Sequence, residues 1–298
     1  MKKYNFETLP ELLKNQDWFE KSILVQKCFT DLRNKICKEF SKIENNYSNE
    51  HNLKKYKFKR NYWNRDITKK EYGGGVSSIL KGNLFEKVGV NISTVSGIFS
   101  DEFKNNIRGA DEDPRYFATG ISVVAHMKSP FIPAAHYNSR FIVTKDAWFG
   151  GGCDLTPIYN EKLVKKKFHS LLKDFCDHHN KNYYDKFSKW CSEYFYLKHR
   201  NEERGIGGIF YDHLNSNWKK DFKFTSETGL FFLNVFSRLI MKYKDKRWEK
   251  RHIDKMLIKR SRYVEFNLLY DKGTMFGLKT NGNVEAILMS MPPLACWN

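Results

Sequence analysis

Residues 121–157, ISVVAHMKSPFIPAAHYNSRFIVTKDAWFGGGCDLTP, decide the fold of this chain. Two runs rich in β-branched and aromatic residues flank a Pro-x-x-Pro turn at Pro130 and Pro133, and a third run ends in three consecutive glycines. Turn-forming residues between short apolar runs are typical of antiparallel strands. The stretch therefore predicts a strand, a turn, a second strand and a glycine loop.

The second predicted strand separates polar from apolar side chains. Because successive side chains of a strand point to opposite faces, His136, Asn138 and Arg140 share one face while Tyr137 and Phe141 share the other. A solvated sheet face is one interpretation, although such faces usually carry lysine, glutamate and threonine. A histidine, an amide and a guanidinium beside a glycine loop are more typical of an anion pocket, which we favour.

Length and composition indicate a globular protein. The chain has 298 residues, of which 41% are hydrophobic and 16% aromatic, so it can bury a full core. No linker is obvious, and we expect a single domain over residues 1–298. Within it, residues 1–25 are expected to be an N-terminal extension, and the Lys- and Asn-rich residues 45–62 a mobile surface loop.

The sequence shows no targeting signal that we recognise, so we expect a cytoplasmic protein. No apolar run approaches the roughly 18 residues that a membrane span needs, so we expect no transmembrane segment. The first 16 residues lack the apolar centre of a signal peptide. The six cysteines form no C-x-x-C pair, which favours reduced thiols over disulfides or a zinc cluster.

The net charge of +18, from 52 Lys and Arg against 34 Asp and Glu, would attract anions of any kind. Nucleic acid, an acidic membrane surface and a polycarboxylate substrate are all candidates, and a general lysine bias is the simplest explanation. No zinc-finger spacing, RNP-like strand or basic zipper is present. We therefore expect no nucleic-acid partner.

The remaining elements follow from hydrophobic spacing. Helices are predicted within 1–45, at 163–175, 184–194 and 226–244, and over roughly 247–259. Strands are predicted on both sides of the turn at 81–83, at 209–212, and near the C-terminus at 263–271, 276–279 and 284–291, with Asn281-Gly282-Asn283 as a hairpin turn. Clustered hairpins separated by helices predict the α+β class, with a large, mostly antiparallel β-sheet covered by α-helices.

Buried carboxylates need positively charged or hydrogen-bonding partners. We therefore expect Asp154, Glu265 and Asp271 to meet Arg140 over the sheet. Taken alone, these residues and His136 predict a cationic pocket, and they name no substrate.

Several longer motifs make the prediction more specific. They are GGGVSSIL (73–80), FEKVGVNIS (85–93), ATGISVV (118–124), His136-x-Asn138-x-Arg140, WFGGGCDLTPIY (148–159), WCSEYFYLKHRNEERGIGGIFYD (190–212), RYVEFNLLYDKGT (262–274) and ILMSMPP (287–293). In this order, over roughly residues 30–297, the chain closely resembles the oxygen-dependent coproporphyrinogen III oxidases.

The resemblance implies an enzyme of haem biosynthesis. Such enzymes oxidatively decarboxylate two propionates of coproporphyrinogen III to vinyl groups and release protoporphyrinogen IX, carbon dioxide and hydrogen peroxide. They use molecular oxygen without flavin, haem or nicotinamide, and the sequence has no dinucleotide fingerprint or C-x-x-C-H motif. We therefore expect no cofactor beyond O2, and a substrate with four carboxylates suits a basic pocket.

The resemblance also implies roles for individual residues. His136 matches the proton donor of the family, and Arg140 is expected to bind a propionate with its planar guanidinium. Asp271 matches an essential acid, which we expect to hold or deprotonate a pyrrole N–H. Asp154 is expected to orient Arg140 or the substrate. The substrate-binding positions are Ser122, Asn138, Ser139, Arg140, Asp154, Lys272, Asn281, Gly282 and Asn283.

Two further features come from the resemblance alone. His126, His136, His169 and His199 match positions described as ligands of a divalent metal, although their spacing does not suggest a metal site. A homodimer is expected to form through about residues 263–298, as in the family.

The chain departs from the family pattern near the C-terminus. Lys272 stands where an arginine is usual after the aspartate, and Asn283 replaces a second arginine. Lysine cannot reproduce a bidentate guanidinium contact, so substrate affinity is in doubt. A catalytically weak porphyrin-binding relative is the first alternative, and a basic nucleic-acid-binding protein is the second.

Overall fold

The computed structural model describes residues 18–65, 72–105, 107–279 and 282–297. The elements, in chain order, are α1 (Trp18–Glu50), β1 (Lys59–Asn64), β2 (Tyr72–Leu80), β3 (Phe85–Ile98), α2 (Asp101–Lys104), β4 (Arg115–Met127), β5 (Ala134–Val143), β6 (Ala147–Thr156), α3 (Glu161–His179), α4 (Tyr183–Tyr194), β7 (Tyr196–Leu197), β8 (Glu202–Glu203), β9 (Gly208–Leu214), α5 (Trp218–Tyr243), α6 (Lys250–Leu269), α7 (Lys272–Lys279), α8 (Val284–Ile287) and a 3-10 turn (Leu288–Ser290).

The centre of the fold is a seven-stranded sheet with the order β1-β2-β3-β4-β5-β6-β9. Every pair of neighbouring strands is antiparallel, and the first six strands are also neighbours along the chain. The predicted α+β class is confirmed, as are the hairpin around residues 81–83 and the helices near 163–175 and 184–194.

One face of the sheet forms the main core with α1 and α5. Tyr137 and Phe141, which the alternation assigns to the apolar face, are fully buried there. The Tyr137 ring stacks on Phe232 of α5, with ring centroids 5.3 Å apart. Phe40 of α1 meets Phe236 of α5 edge to face at 5.9 Å, so the two helices also contact each other. Apolar burial on this face is the main stabilising contribution.

The buried carboxylate of Glu44 joins α1 to the β2–β3 turn. Its oxygens accept hydrogen bonds from the backbone N–H groups of Asn83, Leu84 (3.1 Å) and Phe85 (3.0 Å). A Cβ at Gly82 would lie 2.4 Å from the same carboxylate, which explains the glycine. Charged acceptors strengthen such hydrogen bonds, so Glu44 fixes the position of the turn.

The strands predicted at 263–271, 276–279 and 284–291 are wrong, because these residues form α6, α7, α8 and the 3-10 turn. The buried residues of α6 include Tyr263 and Phe266, one helical turn apart. Over so short a stretch, an alternating pattern also satisfies the spacing of a helix, and α6 continues the helix predicted at 247–259.

Three smaller expectations are also corrected. Residues 45–62 are not a single loop, because α1 continues to Glu50 and β1 begins at Lys59, where pairing with β2 provides backbone partners. Gly150, Gly151 and Gly152 lie inside β6 and not in a loop. The helix predicted at 226–244 begins earlier, at Trp218.

Glu44→Ala should lower the free energy of unfolding by about 3 kcal/mol, because three buried backbone N–H groups lose their acceptor. Urea denaturation followed by circular dichroism measures the change. Asp31→Ala, at an exposed position of the same helix, is the matched control and should change stability by less than about 0.5 kcal/mol. Equal effects of the two substitutions would contradict the role of Glu44.

Candidate functional site

The face of the sheet opposite the main core carries the predicted polar row, and we call it the polar face, defined by Ser122, His136, Asn138 and Arg140. In β5 the residues of this row are half-buried, and those between them are fully buried. Paired residues of antiparallel strands point the same way, so Ser122 lies beside Asn138 and beside Asn91 of β3. The polar row predicted from the sequence is confirmed.

Small residues surround Arg140 on the polar face. The strand register places it between Gly120 of β4 and Gly150 of β6, with Ser93 of β3 beyond Gly120. A Cβ at Gly150 would lie 2.5 Å from a carboxylate oxygen of Asp212 and 2.8 Å from Nε of Arg140. The glycine of β6 therefore makes room for a charged pair.

Arg140 forms an ion pair with Asp212 of β9, with 2.7 Å between Nη2 and Oδ2. Trp148 donates a hydrogen bond to Oδ1 of the same carboxylate (3.1 Å). Arg140 keeps 30% of its side chain exposed, and the guanidinium carbon lies 5.7 Å from the ring centre of Phe210. Sequence reasoning missed Asp212, although strand alternation from Phe210 in IFYD would have placed it on this face.

A second group of charged side chains, those of His136, Asp154 and Arg204, is more deeply buried than Arg140. His136 donates its Nδ1–H to Asp154 (2.7 Å), and the other oxygen of Asp154 accepts from Arg204. Burial alone would raise the pKa of Asp154, but the positive charge of Arg204, together with His136, lowers it below the usual value. The Arg204 guanidinium lies over the Phe195 ring at 4.0 Å. Asp154 thus contacts His136 and Arg204 and not Arg140, which corrects the expected contact with Arg140, while its expected role toward the substrate stays a prediction.

The carboxylate of Asp271 caps α7. Thr274 donates both its backbone N–H (2.8 Å) and its hydroxyl (2.7 Å) to Oδ2, and the hydroxyl of Tyr194 donates to Oδ1 (2.8 Å). Burial and the nearby charge of Asp271 raise the pKa of Tyr194 well above its usual value. The Tyr194 ring stacks on Phe210 with centroids 4.4 Å apart. Phe210 therefore contacts the surroundings of both Arg140 and Asp271.

Glu265 does not join this group. It pairs with Arg200 (2.6 Å) and also accepts hydrogen bonds from His199 and from the indole N–H of Trp297. The hydrogen bond from Arg200, supported by those from His199 and Trp297, lowers the pKa of Glu265 to about 2. The expectation that Glu265 meets Arg140 is therefore wrong, since Glu265 joins α6 to residues 199–200.

The other predicted substrate contacts are spread out. Ser139 is 1% exposed and lies on the core face, so its side chain is not brought together with Asn138 and Arg140. Lys272 is exposed at the start of α7. Gly282 donates its N–H to the Gly277 carbonyl, and Asn283 caps α8 and makes no hairpin turn. Asn281 lies outside the described residues.

The four histidines do not gather into one metal site. Each bonds to its own partners: His126 to the Ser290 carbonyl, His136 to Asp154, His169 to Tyr184 and the Ile206 carbonyl, and His199 to Tyr270 and Glu265. Among residues 18–65, 72–105, 107–279 and 282–297, no three His, Cys, Asp or Glu side chains are grouped to hold a metal ion. These residues do not fit a shared metal site.

Within the part of the chain that the structure describes, no helix combines the length and the hydropathy needed to cross a bilayer.

Known proteins resemble this chain over most of its length. A family model described as coproporphyrinogen III oxidase matches residues 24–298. Oxygen-dependent coproporphyrinogen-III oxidases of Rickettsia rickettsii (strain Sheila Smith) and Rickettsia akari (strain Hartford) are 55% and 54% identical over 271 residues, which cover 91% of this chain and 96% of each relative. The corresponding protein of Rickettsia bellii (strain OSU 85-389) is 55% identical over 270 residues. The chain therefore belongs to the coproporphyrinogen III oxidase family.

Proposed function

We propose that this protein is an oxygen-dependent coproporphyrinogen III oxidase of haem biosynthesis, which converts two propionates of its substrate to vinyl groups. In each conversion the propionic acid side chain loses carbon dioxide and two hydrogens, and O2 takes up those hydrogens to form hydrogen peroxide. The observation that carries the proposal is the position of Arg140, a guanidinium set between Gly120 and Gly150 on a sheet face of small residues.

A broad ring with acidic side chains fits this face for two reasons. Gly120 leaves the floor on one side of Arg140 without a side chain, so a flat ligand can approach the backbone there, while the space over Gly150 holds the Arg140–Asp212 pair. Arg140 is already oriented by Asp212, and a planar guanidinium can bind a carboxylate through two parallel hydrogen bonds. Ser122 and Asn138 add neutral polar groups in the next row.

His136 is placed to transfer a proton at this face. Its Nδ1–H is held by Asp154, so Nε2 is the nitrogen that can exchange a proton with a ligand. That nitrogen accepts a hydrogen bond from the side-chain amide of Asn138 (3.1 Å). A protonated His136 would instead donate from Nε2, and Asn138 would then turn its amide oxygen toward the ring.

Asp271 is the proposed acceptor for a pyrrole N–H. Hydrogen bonds from Tyr194 and Thr274 fix the orientation of its carboxylate, and the Tyr194 ring in turn stacks on Phe210. A carboxylate that accepts a pyrrole N–H would hold the electron-rich macrocycle while O2 reacts. In this proposal the substrate supplies the electrons, and no cofactor beyond O2 takes part.

An aerobic assay with coproporphyrinogen III tests the function, since the product is fluorescent after oxidation. We expect turnover with oxygen, no turnover under nitrogen, and loss of most activity in Arg140→Ala. Binding without turnover would favour the porphyrin-binding relative. A steep salt-dependent affinity for DNA without turnover would favour the nucleic-acid-binding alternative.

Two further features are part of the proposal. The six cysteines are free thiols, as expected for a protein of the cytoplasm. A homodimer through about residues 263–298 is supported by apolar side chains exposed there, namely those of Leu268, Leu269, Leu278, Leu294 and Trp297.

For the dimer, Leu269→Lys should shift the sedimenting species from twice the chain mass of 35.4 kDa toward that mass. Leu163→Lys, at an exposed leucine of α3, is the matched control and should leave the assembly unchanged. A wild-type protein that sediments as a monomer at micromolar concentration would contradict the proposal.

Gly120→Val should lower kcat/KM by about tenfold or more, because the added side chain rises from the floor beside Arg140. Backbone φ and ψ of a strand suit valine, but its Cβ would crowd the Ser139 carbonyl oxygen, so the thermal midpoint should fall somewhat and activity is compared well below it. Gly120→Ala is the graded control, since a Cβ there would lie 3.1 Å from its nearest neighbour, and should lose less activity. Full activity in Gly120→Val would refute the use of this floor.

Asp271→Asn separates proton handling from helix capping. Asparagine caps helices well, so α7 should keep its start and the thermal midpoint should stay near the wild-type value. The charge of the acceptor is lost, and kcat should fall by about 100-fold or more. If Asp271→Asn kept normal turnover while Asp271→Ala lost both stability and activity, Asp271 would be a cap only.

A further inference from the structure

Arg33 of α1 is a buried cation, and two of its three guanidinium nitrogens have no hydrogen-bond partner among the described residues. Its side chain is 3% exposed, and neither Nε nor Nη1 is hydrogen-bonded. A buried charge is strongly unfavourable unless it is paired. Arg33 is also one turn before Cys37 on the stripe of α1 that contacts the sheet, so it cannot be treated as a surface residue.

A second guanidinium faces the same place. Arg60 of β1 pairs in register with Ser78 of β2, and that row continues through Val90 and Val123 of the main core. Its side chain therefore points to the face covered by α1. Burial, and next the positive charge of Arg60, lower the pKa of Arg33. Within the described ranges, neither Arg33 nor Arg60 has a carboxylate partner.

The hydroxyl of Ser78 lies near the two guanidiniums of Arg33 and Arg60. Ser78 is fully buried beside the Cys37 thiol, and within the part of the chain that the structure describes its Oγ has no hydrogen-bond partner of normal geometry. Since Cys37 follows Arg33 by one helical turn, the Ser78 hydroxyl and the Arg33 guanidinium lie between the same two elements, α1 and β2. Arg60 is exposed, so it lies on the solvent side of Arg33 and Ser78.

We propose that Arg33, Arg60 and Ser78 form a binding site for a small divalent oxyanion of the phosphate class, on the side of the sheet opposite the polar face. Two guanidiniums balance two negative charges, and N–H and O–H donors suit the oxygens of a tetrahedral anion. The seven-stranded sheet separates this site from Arg140 and His136, so it is distinct from the proposed site of decarboxylation.

Inorganic phosphate is the probe, titrated into the full chain by calorimetry at constant ionic strength set with sodium chloride. The wild type should bind phosphate, and Arg33→Met and Arg60→Met should each weaken binding by about tenfold or more. Arg238→Met, at an exposed arginine of α5 with the same change in charge, is the control and should bind as the wild type does. Sulfate should compete with phosphate, and acetate should not.

Stability gives an independent readout. In phosphate-free buffer, Arg33→Met should melt at or above the wild-type temperature, because an unpaired buried charge is removed; added phosphate should stabilise only the wild type and the control. Decarboxylase turnover should be unchanged in Arg33→Met and Arg60→Met. If Arg33→Met does not fold, the phosphate titration of Arg60→Met tests the proposal, since the Arg60 side chain is exposed and its loss should not prevent folding. Equal phosphate binding by the wild type and Arg60→Met, or equal competition by acetate, would overturn the proposal.

Discussion

The antiparallel register of β4, β5 and β6 is the constraint on which the rest of the molecule depends. It sets Arg140 between two glycines and His136 opposite Asp154, while Tyr137 and Phe141 enter the core on the reverse side. A shift by one residue would exchange the two faces and bury the cations among aromatic rings. The core that stabilises the sheet therefore also fixes the chemistry on its other surface.

Charge on the polar face is organised in two ways. Arg140 is paired with a carboxylate yet keeps part of its surface open, so it is held in place and still able to meet an anion. Arg204 is almost fully buried between Asp154 and aromatic rings, where no ligand can reach it without rearrangement. The first arrangement suits binding, and the second suits the orientation of His136. The net charge of +18 alone distinguishes neither role.

Local sequence patterns predicted the central strands of the sheet, but they did not predict the ion-pair partners of the site residues. Alternation along β5 gave both faces correctly, because a strand has a strict period of two. The same reasoning wrongly predicted strands after residue 262, since a short amphipathic helix and a strand can share one hydrophobic pattern. Asp212 and Arg204 were missed as partners because their pairing with Arg140 and Asp154 depends on β9 and on the residues before it folding back against β6. Asp271 was found through family resemblance, and its role as a cap became visible only with α7 in place.

The residues that cover the β3 and β4 part of the polar face lie near the C-terminus of the chain. Lys87 donates to the Met291 carbonyl, Asn91 to the Ala286 carbonyl and His126 to the Ser290 carbonyl, across separations of 204, 195 and 164 residues. The first six strands, by contrast, each pair with a neighbour in sequence. During synthesis the meander can therefore form while the ribosome still holds the C-terminus, and one side of β3 and β4 stays open to solvent until release. The side chains left open in this interval include those of Lys87, Asn91 and His126, which water can solvate, so the meander can wait for its C-terminal cover without exposing the main core.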